Sequence, residues 1–101
     1  MYDLLDWLER QHDGVNTYKA LLQRLRSDER LAAAHPAFVF VLRHLAGRIV
    51  SLYEESPCDA ETGSSIFATM LGYVKEMERL EGRPAAERLA LLDRMAQMKL
   101  A

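Results

Sequence analysis

The most apolar part of the chain is residues 36–53, with the sequence PAFVFVLRHLAGRIVSLY. When successive residues are placed 100° apart, as in an α-helix, most of its apolar side chains fall on one arc of about half the circumference. The opposite arc is polar except for Phe40. The pattern predicts a central helix with several packing neighbours. It also predicts that a short preceding helix or a second chain covers Phe40.

A heptad-like pattern occupies residues 4–25, where apolar or neutral side chains recur at spacings of four and three. The register is unbroken through Asp13 and Gly14, although a glycine inside a helix costs about 1 kcal/mol and Asp-Gly equally suits a turn. The unbroken register favours one long helix over residues 3–26. The alternative is a hairpin of two short helices.

Polar residues divide the middle of the chain. The register fails at Ser27, and Ser27 or Asp28 is placed to cap a short helix over residues 29–34, which the proline that follows brings to an end. Ser56 begins a Ser-Pro-Cys-Asp sequence that is typical of a helix start. Ser56 is therefore predicted as the next N-cap, with a kink or restart over residues 62–64.

The last third of the chain predicts two helices. The first continues to residue 81, and Gly82 with Pro84 separates it from a final helix over residues 84–99. No stretch alternates with period two, so no strand is predicted. The chain is expected to form one all-α domain over residues 1–101, a small bundle of about four main helices plus one short helix with antiparallel neighbours. The final helix has one broad apolar face, made of Leu89, Leu91, Leu92, Met95, Ala96 and Met98.

Charge argues against a nucleic-acid role. The chain has 13 basic and 15 acidic residues in 101, a formal charge of -2, and both signs are spread evenly over its two halves. Nucleic-acid binding normally needs clustered lysine and arginine to displace counterions from phosphates. A regulator that binds nucleic acid only as a dimer is kept as a second alternative.

The expected location is the cytoplasm. Cys58 is the single cysteine and cannot form an intramolecular disulfide, whereas small proteins of oxidising compartments usually carry paired cysteines. The N-terminal residues are acidic and lack an apolar signal core, and Arg43 and Arg48 interrupt the longest apolar stretch. No membrane association is expected.

His44 is the one histidine with a chemical hypothesis, because it lies on the polar side of the central helix next to Arg43. Histidine phosphotransfer modules place a lysine three residues after the phosphorylated histidine and a glycine four residues after. Here Gly47 and Arg48 stand at those positions in the opposite order. The spacing argues against phosphotransfer, and a phosphotransfer or small-ligand domain centred on His44 is kept as an alternative.

Other chemistries lack their usual patterns. The histidines and Cys58 include no pair at helical spacing, and there is no Cys-x-x-Cys or Glu-x-x-His sequence. A glycine-rich phosphate loop and Gly-x-Ser-x-Gly are also missing from the sequence. A lone cysteine without an assigned base is usually inert. We expect no metal, no cofactor and no enzymatic activity.

Apolar surface predicts protein partners. Leu4, Trp7 and Leu8 form a group with acidic residues around it, as in a helix that docks in a groove, although the same group could pack in the chain's own core. The apolar faces also exceed what one bundle of this length hides. The sequence predicts a homodimeric protein-binding regulator, antagonist or chaperone-like adaptor. The predicted contact residues are Leu4, Trp7, Leu8, Phe40, Met95 and Met98.

Overall fold

The computed structural model describes residues 3–99, which form six α-helices and no strand. Four of these helices are long and two are a turn and a half, so the predicted all-α bundle is confirmed. None of the helices in residues 3–99 is both long and apolar enough to cross a membrane. The helices are α1 (Leu4–Glu9), α2 (Val15–Ser27), α3 (Glu29–Ala34), α4 (Pro36–Glu55), α5 (Ala60–Arg79) and α6 (Ala85–Ala96).

Helix α4 is the centre of the packing, as its apolar arc predicts. It contacts α2, α3 and α6, while α5 contacts α1 and α6. Leu42, Ala46 and Ile49 project from α4 into the core and are fully buried. Removing such side chains from water supplies the main stabilisation of a small bundle, at roughly 25 cal/mol for each Å² of apolar surface buried.

The prediction of one long helix over residues 3–26 is wrong. The chain leaves the helix at Arg10, and α2 begins again after Gly14, whose backbone is extended with ψ of 170°. The Thr17 hydroxyl donates a hydrogen bond to the His12 carbonyl, which stabilises the turn. The hairpin is favoured because it lets the two segments face different neighbours: α1 packs on α5, and α2 packs on α4.

The short helix α3 has the predicted bounds and cap. The Asp28 carboxylate accepts a hydrogen bond of 3.0 Å from the Leu31 backbone N–H, as an N-cap residue does. Pro36 is the first residue of α4, where its missing N–H is not needed. Both predictions at this junction are confirmed.

Ser56 is not the N-cap of the next helix. It ends α4 in an extended conformation, and the Asp59 carboxylate caps α5 by accepting a hydrogen bond of 2.7 Å from the Thr62 backbone N–H. The predicted kink over residues 62–64 is also wrong, because α5 is a single helix through this region. Gly63 is buried on the inner face of α5, so the inner face has no polar interruption there.

Helix α6 is shorter than the predicted 84–99. Pro84 occupies the position before its first residue, and Gly82 provides the preceding turn with a φ of 78°, which glycine adopts without strain. Leu91 and Met95 are buried, but Leu89 is 58% exposed. The predicted apolar face is therefore too broad, because α6 makes its main contacts with two helices, α4 and α5.

Candidate functional site

The N-terminal contact residues lie mostly inside the protein. Leu4 is 1% exposed and Leu8 is 0% exposed, so neither is accessible to a partner. Both residues pack in the chain's own core. Trp7 is half-buried, and the Arg24 guanidinium carbon lies 5.1 Å from its ring centroid. Arg24 Nη2 also lies 2.7 Å from the Asp3 carboxylate, so this arginine fixes α1 to α2 and covers the ring.

The two C-terminal methionines also belong to the packing. Met95 is fully buried, and it is a core residue rather than a contact residue. Met98 is half-buried against the core. Helical spacing alone could not show whether a methionine packs in the core or contacts a partner, because both faces of a short terminal helix can carry apolar residues.

Phe40 is the predicted contact residue that the structure leaves on the surface. Its side chain is 73% exposed, so the prediction that α3 covers it is wrong. The Leu31 side chain of α3 is buried in the core instead, and the N-terminal part of the outer face of α4 is exposed. Coverage of Phe40 by a second chain stays a prediction.

The outer face of α4 forms a continuous surface, which we call the α4 ridge. All of its side chains are exposed except at Gly47, which is half-buried. A Cβ added at Gly47 would meet no atom within 4 Å, so the space above this position is open. The residues of the α4 ridge are Phe40, Arg43, His44, Gly47, Arg48, Ser51, Glu54 and Glu55.

Charge is divided along the α4 ridge. Arg43 and Arg48 lie in its first half, and neither has an ion-pair partner among residues 3–99. Glu54 and Glu55 lie in its second half. Glu54 Oε2 is 3.4 Å from Lys19 Nζ in an exposed pair of the kind that contributes at most about 1 kcal/mol.

The charges also follow the two edges of the α4 ridge. Arg43 and Glu54 are separated by three turns of helix and differ by only about 20° around the axis, so they share one edge. Arg48 and Glu55 are separated by two turns and differ by about 20°, so they share the other edge. Each edge therefore begins with an arginine and ends with a glutamate.

The histidines do not form a site together. His44 is exposed in the middle of the α4 ridge, whereas the His35 Nε2 atom lies 2.8 Å from a carboxylate oxygen of Glu81. Within residues 3–99, no three histidine, cysteine, aspartate or glutamate side chains are grouped so that they could hold a metal ion.

A second region, which sequence reasoning missed, lies where α2, α4 and α5 meet. A cavity of about 290 Å³, which we call the tyrosine cavity, opens there. The Tyr18 and Tyr53 rings meet edge to face behind it, with centroids 5.8 Å apart. Cys58 and Asp59 separate it from a second cavity of about 520 Å³, which Lys99 also lines. The tyrosine cavity is lined by Asp13, Gly14, Val15, Tyr53, Cys58, Asp59, Ala60 and Gly63.

The two tyrosine hydroxyls are buried close to each other, and Cys58 lies beside the Tyr53 hydroxyl. Burial raises the pKa of Tyr18, and the nearby Tyr53 and Asp13 raise it further. Burial and the neighbouring Cys58 raise the pKa of Tyr53 to about 12. In the sequence, both tyrosines fall on apolar helix faces, and this indicates that their hydroxyls are buried. A buried tyrosine hydroxyl usually has a hydrogen-bond partner.

Ionisation of these two tyrosines is expected to lower the free energy of unfolding at high pH. Because their pKa is raised above the ordinary value of 10.0, the protonated form stabilises the fold below pH 10, and this contribution is lost as the pH rises towards 12 and beyond. Tyr18→Phe removes one group that must ionise. We expect urea denaturation at pH 8 and pH 11 to show a smaller loss of unfolding free energy in this variant than in the wild type. An equal loss in both proteins would contradict this assignment.

Comparisons of the chain with protein-family models, with curated proteins and with solved structures find no match.

Proposed function

We propose that the protein is a small protein-binding regulator or adaptor that pairs with a second copy of itself through the α4 ridge. The observation that carries the proposal is the charge order along both edges of the ridge, arginine first and glutamate last. The exposed Phe40 at the start of the ridge adds an apolar contact. The proposal assigns no catalytic residue, and the free Cys58 thiol suits a cytoplasmic setting.

An antiparallel second copy fits this charge order. When a two-fold axis relates two antiparallel helices, each edge of one helix meets the same edge of the other with its direction reversed. Arg43 of one copy then lies towards Glu54 of the other, and Arg48 lies towards Glu55. Both pairs occur twice in the dimer.

The middle of the α4 ridge allows the helices to come close. The two copies would cross near Gly47 and Ser51, which have the smallest side chains of the ridge. Open space above Gly47 leaves room for the backbone of the other helix. Small residues at a helix crossing shorten the distance between the axes, so the flanking charged side chains can reach one another.

An exchange of charges tests this proposal. Arg43→Glu with Arg48→Glu makes the whole ridge acidic, and Glu54→Lys with Glu55→Lys makes it basic, so each double variant alone should be monomeric. An equimolar mixture should restore a dimer, because an acidic ridge then faces a basic one. Sedimentation equilibrium measures the masses, and the wild type should approach twice 11.5 kDa as its concentration rises.

Arg26→Glu with Arg30→Glu is the matched control, since it makes the same charge change at exposed sites on α2 and α3. This control should dimerise like the wild type. A wild type that stays monomeric at every concentration contradicts the proposal, and so does a mixture that does not associate. If the α4 ridge binds a different protein and not a second copy, the wild type will stay monomeric. That result also contradicts the proposal.

A further inference from the structure

A third cavity, of about 160 Å³, lies where the α3–α4 junction, the end of α5 and α6 meet, and we call it the α6 cavity. Phe38, Met77 and Leu91 form the buried part of its lining. An apolar cavity of about this volume accommodates a benzene ring. All the lining side chains except those of two residues are apolar, and the lining consists of Ala34, His35, Pro36, Ala37, Phe38, Met77, Arg88, Leu91 and Leu92.

The two polar residues of the lining are His35 and Arg88. The His35 side chain is 11% exposed, and its Nε2 atom lies 2.8 Å from a carboxylate oxygen of Glu81. Arg88 is half-buried, and its Nη1 atom donates a hydrogen bond to the Arg83 carbonyl oxygen. This hydrogen bond holds the guanidinium beside the turn that joins α5 to α6.

The carboxylates near this turn are bound to other side chains. Glu81 pairs with His35, and Glu87 accepts hydrogen bonds of 2.9 Å from Arg83 Nε and 3.2 Å from Arg83 Nη2. Arg88 forms no ion pair with a carboxylate of residues 3–99. A guanidinium is always charged and has five N–H donors, which suit a carboxylate. The α6 cavity therefore combines an apolar interior with a cation that can accept an anionic partner.

We propose that the α6 cavity binds a small organic acid, a carboxylate attached to an apolar group of about six carbon atoms. The apolar group contacts Phe38, Leu91 and the Met77 thioether, and a thioether packs favourably against an aromatic ring. The carboxylate pairs with Arg88, which is partly exposed, so the anion keeps part of its hydration. This inference is independent of the α4 ridge.

Titration with benzoate tests the proposal, because benzoate joins one ring to one carboxylate. We expect saturable shifts in the backbone amide NMR signals of Ala37, Met77 and Leu91 at millimolar benzoate. A nuclear Overhauser effect between the benzoate ring and the Met77 methyl group should place the ring inside the cavity, since Met77 is 2% exposed. The methyl group of Met70, which is buried two turns earlier on α5, should show no such effect.

Benzamide and benzylammonium are the matched ligands without a negative charge. Both should bind the wild type at least about tenfold more weakly than benzoate, because neither offers a carboxylate to the guanidinium. Equal binding of benzamide and benzoate would overturn the proposal, since the cavity would then be merely apolar. This comparison uses the wild type alone and does not depend on the stability of any variant.

Arg88→Gln removes the positive charge from the lining. Its dissociation constant for benzoate should rise by about tenfold or more, as for the loss of one charge-assisted hydrogen bond. Arg94→Gln is the matched control, because it removes an exposed cation from the same helix, and it should bind benzoate like the wild type. The proposal would be overturned if benzoate gave no saturable shift in the wild type, or if folded Arg88→Gln bound it with unchanged affinity.

Discussion

Phe38→Ala is expected to lower the free energy of unfolding by about 3–5 kcal/mol, the range found for large aromatic residues removed from a core. Phe38 is 4% exposed and belongs to the buried cluster that α4 forms with its neighbours. Its removal leaves a cavity that the surrounding helices can fill only in part. Small proteins have a total stability of about 5–15 kcal/mol, so the variant should be close to the limit of folding at 37 °C. Urea denaturation followed by circular dichroism measures the difference.

Phe40→Ala is the matched control, because it makes the same change two residues along the same helix. Phe40 is 73% exposed, so its removal should change the unfolding free energy of the monomer by no more than about 0.5 kcal/mol. The measurement is made at low protein concentration, where association contributes little. Similar losses for the two variants would show that the rotation of α4 about its axis is misassigned.

Leu8→Asp is expected to destabilise the protein by at least about 3 kcal/mol, because it removes a buried leucine and places an unpaired carboxylate in the core. Leu8 is fully buried where α1 packs on α5. Urea denaturation measures the loss of unfolding free energy. Amide hydrogen exchange should show the largest increase in rate in α1 and on the adjoining part of α5.

Leu89→Asp makes the same chemical change at an exposed position of α6 and should have an effect of about 0.5 kcal/mol or less. If Leu8→Asp had an equally small effect, α1 would not be part of the core. Leu8 would then be accessible to a partner, as the sequence pattern allowed.

The sequence predicted the elements that local chemistry determines. The Asp28 cap, Pro36 at the start of α4 and the apolar arc of α4 depend on neighbouring residues, and each is present in the structure. Asp13-Gly14 was misjudged for a tertiary reason. The heptad-like register suited one helix, and only the separate contacts of α1 with α5 and of α2 with α4 favour the break.

The candidate sites were harder to predict from the sequence than the helices were. Phe40 is exposed because no helix within residues 3–99 covers it, and this depends on where α3 packs. The tyrosine cavity depends on residues from α2, α4, α5 and two turns, and no spacing along the chain brings Asp13, Tyr18 and Tyr53 together. Helical periodicity assigned both tyrosines to apolar faces and could not show that their hydroxyls lie close to each other.

The contact between α1 and α5 has a consequence for the order of folding. Helices α2, α3 and α4 follow one another in the chain and contact each other, so they can associate with short loops and a small loss of chain entropy. Helix α1 must wait for α5, which begins at Ala60. A chain emerging from the ribosome would thus expose the α1 segment early and dock it late, because a helix of 6 residues is not stable on its own. Until then, Leu4 and Leu8 would be exposed, and this interval is when the nascent chain is most open to aggregation or to a chaperone.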